Sequence, residues 1–421
     1  MLHVTFKSLL ARKLRLLLTA LAVVLGVAFV SGTLVLGDTM NATFDKLFAT
    51  AYSGTDVGVR GKSAFTVNVA EGGDPAQSRA PVPVSVLEQV RSVDGVEEAE
   101  GDYAGFAQIV RPDGEVVETS GAPTIGGSWL GDSQLNPYRL QDGAAPTAAG
   151  EVAIDDATAE DNDLAVGDRI QVILQSGSQD ATITGIVSFG EGGSLAGATV
   201  TLFDPATAEQ SLGTPGTYTE ILAVGDGSVS DEVLRDRVAQ VLPPRYEALT
   251  GEQIAASDSG DIKDALSFFS IFLLVFAVIS IFVGSFIIFN TFSMLVAQRS
   301  RELALLRALG ASRRQVNRAV IIEAAVVGFI GSTIGLGLGV LLSLGLQGLV
   351  SLFLGDLPVD GLVFRANTVL WAYLTGVVVT VVAAIAPARR ATHIPPVAAL
   401  RDDVALPAAS LRRRALFGSL V

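Results

Sequence analysis

The sequence predicts an α-helical membrane protein with four transmembrane helices and a large extracytoplasmic α+β domain inserted between helices 1 and 2. Three observations predict this class: 49% of the 421 residues are hydrophobic, four long apolar runs carry no charge, and the charges are divided unevenly along the chain. An uncharged apolar run of about 18 residues or more is a candidate membrane-spanning helix. The runs are Leu16–Gly37, Ala265–Gln298, Ala324–Gly355 and Ala366–Ala388.

The charge distribution predicts how the chain crosses the membrane. Residues 38–263 carry 36 acidic and 12 basic side chains, whereas the rest of the chain carries 7 acidic and 17 basic ones. All but one of those 17 basic residues lie before the first run, between positions 299 and 318, or after position 388. Short loops rich in Lys and Arg stay in the cytoplasm. We therefore expect a membrane protein in contact with lipid, with its N-terminus inside, its acidic domain outside, and no nucleic-acid partner.

These runs and charges divide the chain into nine segments. The first run is longer than the ~7 to 15 residues of a signal-peptide core, so we expect it to remain as an anchor. The segments are a cytoplasmic amphipathic segment or simple positive flank at 1–15, the first span at 16–37, the extracytoplasmic domain at 38–264, the second span at 265–298, a cytoplasmic loop at 299–318, the third span at 319–353, an outer loop at 354–367, the fourth span at 368–388, and a cytoplasmic tail at 389–421.

The extracytoplasmic domain is predicted to mix strands and helices. Apolar and β-branched runs predict strands in TDVGVRG, FAQIVR, GEVAID, DRIQVIL, ATITGIVSF, ATVTLF and TEILAVG. Helical spacing of apolar residues predicts helices in SVLEQVRSV and SDEVLRDRVAQVL. Strands and helices mixed in this way indicate an α+β domain.

We expect no catalytic residue, no metal and no cofactor in this chain. The two histidines, His3 and His393, lie outside the acidic domain and cysteine is absent, so a hydrolase triad or a zinc site lacks its side chains there. The stretch DVGVRGKS at 56–63 is close to a phosphate-binding loop, but Asp56 replaces the first glycine of that pattern. Its predicted place on the outer side, away from cytoplasmic ATP, argues against nucleotide binding, and the alternation in AFTVNVAEGG that follows favours strand and loop. The acidic residues Asp155, Asp156, Asp161 and Asp163 form either a calcium site or a solvated loop.

The third span carries two features of interest. Gly331, Gly335 and Gly339 stand at four-residue intervals. Small residues at this spacing let helix backbones approach closely in lipid, so we expect a tight helix contact. Glu323 lies near the start of the span, and it is either a carboxylate that reaches the cytoplasmic interface or a proton-relay residue.

The loop between the second and third spans is the most informative stretch. In AQRSRELALLRALGASRRQVNRAVIIE, Gly310 is placed to end a short helix, and Ser312 with Gln315 forms a capping box that opens the next helix. Arginines alone would be enough to fix the orientation of the loop, but that task needs neither Glu302 nor an apolar ridge. The ridge consists of Leu305, Leu306 and Leu309. We interpret the short helix as a docking surface for a cytoplasmic protein.

Three segments resemble one family. SRELALLRALGASRRQV resembles the coupling-helix signature of FtsX-like/MacB-like permeases, the membrane subunits of type VII ABC transporters. PARRATHIPPVAALR, at 387–401, is similar to the segment that closes the four-helix unit of that family. GEVAIDDATAEDNDLAVGDRIQVIL, together with ATITGIVSF, is similar to its extracytoplasmic core domain, with a turn at Gly167 and Asp168.

The resemblance implies partners and a site. A dimer of separate ATPase subunits, which bind ATP and Mg, would dock beneath two permease units and move the second-span helices. The second permease unit would be a second copy or the second half of a longer chain. SLRRRALFGSLV has the layout of the start of the first span, so we expect it to begin a fifth span; a genuine end with a loose basic tail is the alternative. The ATPase-contact residues carried over from the family are Arg301, Glu302, Leu305, Leu306, Arg307, Ala308, Leu309, Gly310 and Ala311.

The resemblance implies a permease subunit of the bacterial cytoplasmic membrane rather than an enzyme. ATP hydrolysis in the partner would drive an extracytoplasmic change that exports or extracts a lipid, lipoprotein, peptide or drug. A second hypothesis is an FtsX-type mechanotransmitter that regulates a cell-wall hydrolase, and a third is a membrane-anchored sensor without an ATPase. A lipoprotein or a hydrolase would then be the partner outside the membrane.

Overall fold

Four helices long and apolar enough to cross a membrane occur in the described part of the chain. The computed structural model describes residues 13–63, 79–119, 122–190, 195, 197–354 and 361–393. The candidate spans are Ala20–Ala51, Ile271–Gln298, Arg313–Leu349 and Ala366–Arg390. The prediction of four spans is confirmed. The predicted interfacial segment before residue 13, residues 355–360 of the outer loop, and the tail after residue 393 with its suggested fifth span lie outside the described residues.

A mixed α/β region follows the first long helix, and the other long helices come after it. In chain order they are α1 (Lys13–Ala51), β1 (Val57–Gly61), β2 (Val82–Pro83), α2 (Val84–Arg91), β3 (Val96–Asp102), β4 (Ala104–Val110), β5 (Thr124–Ser128), β6 (Tyr138–Gly143), β7 (Glu151–Asp155), α3 (Asp156–Asp161), β8 (Arg169–Leu174), β9 (Gly177–Phe189), β10 (Thr199–Phe203), α4 (Pro205–Ser211), β11 (Thr217–Tyr218), β12 (Glu220–Gly225), α5 (Asp231–Val241), β13 (Tyr246–Thr250), α6 (Gly251–Gln298), α7 (Ser300–Ala308), α8 (Arg313–Leu354) and α9 (Ala366–His393).

The described residues fall into two compact units. The membrane unit contains the chain up to Val35, the segment Phe272–Leu344 and the chain from Phe364. The inserted unit contains Leu36–Ile271 and the described part of Gly345–Val363. The α/β region thus lies between the first and second candidate spans, as the sequence predicts.

The helices α1 and α6 differ from the predicted segments because each continues beyond its apolar run. Helix α1 ends at Ala51 rather than Gly37, and α6 begins at Gly251 rather than Ala265. Hydropathy marks the end of an apolar run, but polar residues can continue a helix in water. The start of α6 has its own signal, since Thr250 and Gln253 form a capping box with two bonds of 3.2 Å. The 48 residues of α6 extend over about 72 Å.

A four-stranded antiparallel sheet forms one part of the inserted unit, with strand order β13-β1-β12-β3. Alternate residues such as Val57 and Val59 of β1 are fully buried against α2 and α5. The two helices predicted in this region are therefore confirmed. On the opposite face, Gly58 lies under α6: a Cβ on it would come within 2.3 Å of the Ile254 side chain.

A seven-stranded sheet forms the other part, with strand order β6-β9-β7-β10-β5-β4-β8. Because β8 also pairs with the 13-residue strand β9, the pairings close into a small barrel. Two of the pairs, β7 with β9 and β5 with β10, are parallel. The barrel core contains Ile109, Ile154, Ile183 and Phe203, which are fully buried.

Candidate functional site

The predicted docking helix is α7, which has nine residues. It is separated from α6 by Arg299, whose φ of −93° and ψ of 7° interrupt the helical path. Leu303 is buried in an apolar cluster that includes Val296 of α6 and Val316 of α8, and Ala304 beside it is buried too. One face of α7 is therefore anchored to the membrane unit.

The turn after α7 contains the two predicted helix caps, one at Gly310 and one at Ser312. Gly310 has a φ of 104°, a left-handed conformation that favours glycine. Its N–H donates to Arg307 O, and the next N–H, of Ala311, donates to Leu306 O, each over 3.0 Å. This pair of bonds is a Schellman motif. Ser312 and Gln315 then form the capping box of α8, with bonds of 2.8 and 3.3 Å. Both local predictions are confirmed.

The face of α7 opposite Leu303 and Ala304 carries the apolar ridge. Leu305 is 50% exposed, Leu306 39% and Leu309 85%. The other residues carried over from the family are on the same short stretch: Arg301, Glu302, Ala308 and Gly310 are exposed, and Arg307 and Ala311 are half-buried. An exposed ridge of leucines bordered by charged groups is typical of a protein–protein contact.

A buried ion pair connects the turn before α7 to α8. The Nη1 of Arg299 donates to Oε2 of Glu323 over 3.0 Å, and its Nε donates to Oε2 of Glu302 over 3.2 Å. The Glu323 side chain is 5% exposed and that of Arg299 is 22% exposed. The pair accounts for a carboxylate inside an apolar helix, because a buried charge requires a partner. It does so without a proton-relay role for Glu323.

Two family models match the chain. The model described as MacB-like periplasmic core domain matches residues 16–241, which is more than half of the 421 residues, and the one described as FtsX-like permease C-terminal matches residues 274–396. The chain belongs to the ABC transporter permeases of the MacB/FtsX type. This is the family that the loop motif resembles. The inserted unit of the permease is its MacB-like periplasmic core domain, and the four apolar helices make it a multi-pass inner membrane protein.

The chain spans only part of the length of the relatives that it matches. An uncharacterized ABC transporter permease protein of Mycobacterium tuberculosis is 29% identical over 262 residues, covering 61% of this chain and 30% of the relative. A macrolide export ATP-binding/permease protein MacB of Bradyrhizobium diazoefficiens is 24% identical over 422 residues, covering 96% of this chain and 60% of the relative. The chain therefore spans less than two thirds of the length of both.

Solved structures are similar to part of the chain at low identity. The periplasmic region of MacB from Actinobacillus actinomycetemcomitans is 12% identical, with a TM-score of 0.36 over 49% of this chain and 93% of that chain. The extracellular domain of the noncanonic ABC-type transporter YknZ, from Gram-positive bacteria, is 13% identical, with a TM-score of 0.33 over 46% of this chain and 99% of that chain.

The glycine ladder of the permease lies against α1. A Cβ on Gly335 would lie 2.8 Å from Cβ of Val27, and one on Gly339 would lie 2.0 Å from Oγ of Ser31. A Cβ on Gly331 would come within 2.8 Å of the same helix. These distances are shorter than van der Waals contact, so a larger residue at these positions would force α1 and α8 apart.

The near-match to a phosphate-binding loop is a strand, as predicted. Val57–Gly61 pairs with β12 on one side and β13 on the other. The carboxylate of Asp56 accepts a 2.7 Å bond from Gly225 N, and Nζ of Lys62 donates a 2.7 Å bond to Pro244 O. Each of these side chains therefore has a structural contact within the sheet region.

Asp155, one of the acidic residues considered for a calcium site, caps the start of helix α3. The carboxylate of Asp155 accepts bonds from the backbone N–H groups of Thr158 (2.9 Å) and Val200 (2.8 Å). Burial raises the pKa of Asp155, although these bonds oppose the shift. In the described segments, no group of three or more His, Cys, Asp or Glu is placed to hold a metal ion. The contacts of Asp155 favour a structural role.

Sequence reasoning missed the partner of Glu323. It placed Arg299 only within a basic cluster that fixes orientation. A signal was present, because an arginine at the end of one span and a glutamate at the start of the next are brought together when a short hairpin joins the two helices.

Proposed function

We propose that this permease couples ATP hydrolysis by a separate ATPase subunit to a conformational change of its periplasmic domain. The observation that carries this function is the exposed leucine ridge of α7, on a helix whose other face is anchored by Leu303 and Ala304. A helix fixed in this way moves with the ends of α6 and α8 when a partner pulls on it. ATP and Mg would be bound by the ATPase dimer, with no cofactor in this chain.

The leucines of the ridge and the arginines beside it would have different roles in that contact. Leu306 and Leu309 would fill a groove on the ATPase, while Arg301 and Arg307 would pair with acidic groups beside the groove. Ion pairs at the edge of such a contact mainly set orientation, whereas buried apolar groups supply affinity. The contact requires α7 to be cytoplasmic, which the basic residues around it favour, and hence an N-terminus inside the cell.

Two structural features support transmission across the membrane. The 48-residue helix α6 is much longer than the ~30 Å hydrocarbon core. In the membrane unit, the close contact of α1 with α8 at the glycine ladder favours movement of these helices as one body. Exposed phenylalanines of α6, among them Phe282 (73% exposed) and Phe286 (62% exposed), are available to lipid and to a second permease unit.

The work on the outer side is proposed to be export or extraction of a lipid, lipoprotein, peptide or drug. The name of the Bradyrhizobium relative, a macrolide export protein, supports the export of a small molecule. A mechanotransmitter that regulates a cell-wall hydrolase would use the same long helix, and binding of a purified hydrolase or lipoprotein to the periplasmic side distinguishes these roles. A sensor without an ATPase would need no exposed leucine ridge.

Replacement of Leu306 and Leu309 by Asp tests the docking role. The tagged chain is expressed in native membranes, the ABC ATPase that co-purifies is identified by mass spectrometry, and the ATPase rate of the complex is measured. The double substitution is expected to abolish co-purification and stimulation while the chain stays folded, because both side chains are exposed. Val233→Asp, at an exposed position of α5 (44%), is the matched control. Normal co-purification and stimulation with both aspartates present would refute the assignment.

A further inference from the structure

A cavity of about 690 Å³ lies within the inserted unit. Its size is within the range of small-molecule sites, about 300 to 1,000 Å³. One wall is polar and includes Tyr52, Glu220 and Asp258, and the other is apolar and includes Phe106 and Leu212. A pocket with a polar and an apolar wall suits an amphiphilic molecule, and the charges of the polar wall decide what its head group must be.

The two arginines of the polar wall are already occupied by carboxylates. Arg60 is 5% exposed; its Nη1 donates to Asp258 over 2.9 Å and its Nε donates to Glu247 over 3.3 Å. The Nη2 of Arg79 lies 3.8 Å from the carboxylate of Asp258 and 4.0 Å from that of Asp261. Three carboxylates are therefore held by two guanidinium groups before Glu220 is considered.

Glu220 is the carboxyl group of this wall that has no ion pair of its own with a described residue, although Arg60 lies opposite it on β1 and is paired with Asp258 and Glu247. Among the described residues, no arginine or lysine forms an ion pair with it within 4.0 Å. Its hydrogen-bond partner is the Tyr52 hydroxyl, whose oxygen is 3.3 Å from Glu220 Oε1 and 3.1 Å from Asp258 Oδ2. One hydroxyl proton cannot serve both acceptors at once. Asp102, directly opposite on β3, adds a further acidic group.

Burial and this crowding keep a proton on Glu220. Desolvation, followed by the charges of Asp102 and Asp258, raises the pKa of Glu220 to about 8, although Arg60 and the bond from Tyr52 oppose the shift. Burial, reinforced by the two neighbouring carboxylates, also raises the pKa of Tyr52, so this hydroxyl remains a donor. A positive group that entered the cavity would take the place of the Glu220 proton.

We propose that this cavity binds an amphiphilic amine, with its ammonium group on Glu220 and Asp258 and its apolar body against Phe106 and Leu212. Charge complementarity selects the amine over an alcohol or a carboxylate of the same shape. Such binding is independent of ATPase docking at α7, so it can be measured on the permease alone.

Three probes that share one apolar body test the head-group requirement. The chain is placed in phosphatidylcholine nanodiscs, and binding of 4-phenylbutylamine, 4-phenylbutanol and 4-phenylbutanoate is measured by titration calorimetry at pH 7, with empty nanodiscs subtracted. The amine is expected to bind at least about tenfold more tightly than the alcohol, because a charge-assisted contact is stronger than a neutral one. Equal affinities, or no amine binding above that of empty nanodiscs, would overturn the proposal.

Proton release and substitution identify Glu220 as the contact. At pH 7 the bound amine is expected to release close to one proton, measured in two buffers that differ in ionisation enthalpy. Glu220→Gln is expected to lose both this release and about tenfold in affinity, whereas the exposed β3 control Glu97→Gln changes neither. If Glu220→Gln does not fold, Phe106→Ala is expected to weaken the amine and the alcohol alike. Amine binding with no proton release, or unchanged by both Glu220→Gln and Phe106→Ala, would contradict the assignment.

Discussion

Replacing Glu323 by Gln is expected to loosen the turn that joins α6 to α7. The Glu323 carboxylate is buried and accepts a 3.0 Å bond from Arg299. Gln has nearly the same shape but no charge, so among the described residues the Arg299 guanidinium retains Glu302, 3.2 Å away, as its charged partner. The turn would then be held to α8 less firmly, and motion of α7 would reach the membrane helices less efficiently.

The size of the effect follows from how far the pair is buried. Breaking a fully buried ion pair costs about 3 to 5 kcal/mol, whereas an exposed pair contributes about 0 to 1 kcal/mol. Glu323 is 5% exposed, but Arg299 is 22% exposed and retains a second carboxylate. We therefore expect Glu323→Gln to lower the free energy of unfolding by roughly 1 to 3 kcal/mol.

A double-mutant cycle isolates the pair. Unfolding free energies are measured by denaturant titration in mixed micelles for Glu323→Gln, Arg299→Met and the double variant. The second substitution is expected to cost at least about 1 kcal/mol less when the first is already present. Additive losses would show that Arg299 and Glu323 act separately, and would refute the view that their ion pair connects the turn to α8.

Three further predictions concern other parts of the chain. Gly335→Ala is expected to cost about 1 to 3 kcal/mol in the same titration, because its Cβ would lie 2.9 Å from Val24 O. Thr250→Ala is expected to cost about 1 kcal/mol, since it removes the acceptor for Gln253 N at the start of α6. With a pKa raised from 4.5 to about 8, Glu220 stabilises the fold fully below pH 4.5 and loses that effect as the pH rises to 8. Glu220→Gln is therefore expected to exceed the parent in stability at pH 9, by up to roughly 5 kcal/mol, and to match it near pH 4.5.

Matched controls separate these causes from general effects of substitution. Gly337 lies on the same helix with nothing within 4 Å of its Cβ position, so Gly337→Ala is expected to be neutral or stabilising by up to about 1 kcal/mol. Thr250→Ser retains the capping oxygen and should restore most of the loss. Glu97→Gln should show no pH-dependent gain in the free energy of unfolding. Equal losses at both glycines, no rescue by Ser, or a Glu220→Gln difference that is independent of pH would each contradict the corresponding reasoning.

Much of the fold is readable from the sequence because its signals are local. The apolar runs identify the four spans, and the seven predicted strands correspond to β1, β4, β7, β8, β9, β10 and β12. Other strands were missed for a physical reason: β3 has the sequence VEEAEGD, whose acidic residues hide its alternation. The start of α6 was missed because its capping box at Thr250 precedes a polar stretch that hydropathy does not register.

The candidate sites likewise differ in whether their residues are close together in the sequence or far apart. The turn at Gly310 and the capping box at Ser312 depend on residues within a few positions of one another, so the sequence predicts them. The polar wall of the inserted unit joins Tyr52 to Glu220, 168 positions apart, and a pattern along the chain does not show that contact. It depends on strand pairing and on the extension of α1 and α6, neither of which hydropathy encodes.

A single thiol on the ridge of α7 tests the central claim that this helix docks an ATPase. The chain has no cysteine, so Leu309→Cys creates a unique attachment point for a short maleimide–succinimide cross-linker in native membranes. The account predicts an adduct with an ABC ATPase subunit, identified by mass spectrometry, and none for the control Val233→Cys. It would be contradicted if Leu309→Cys gave no ATPase adduct, or if the thiol reacted only with reagents applied outside the cell.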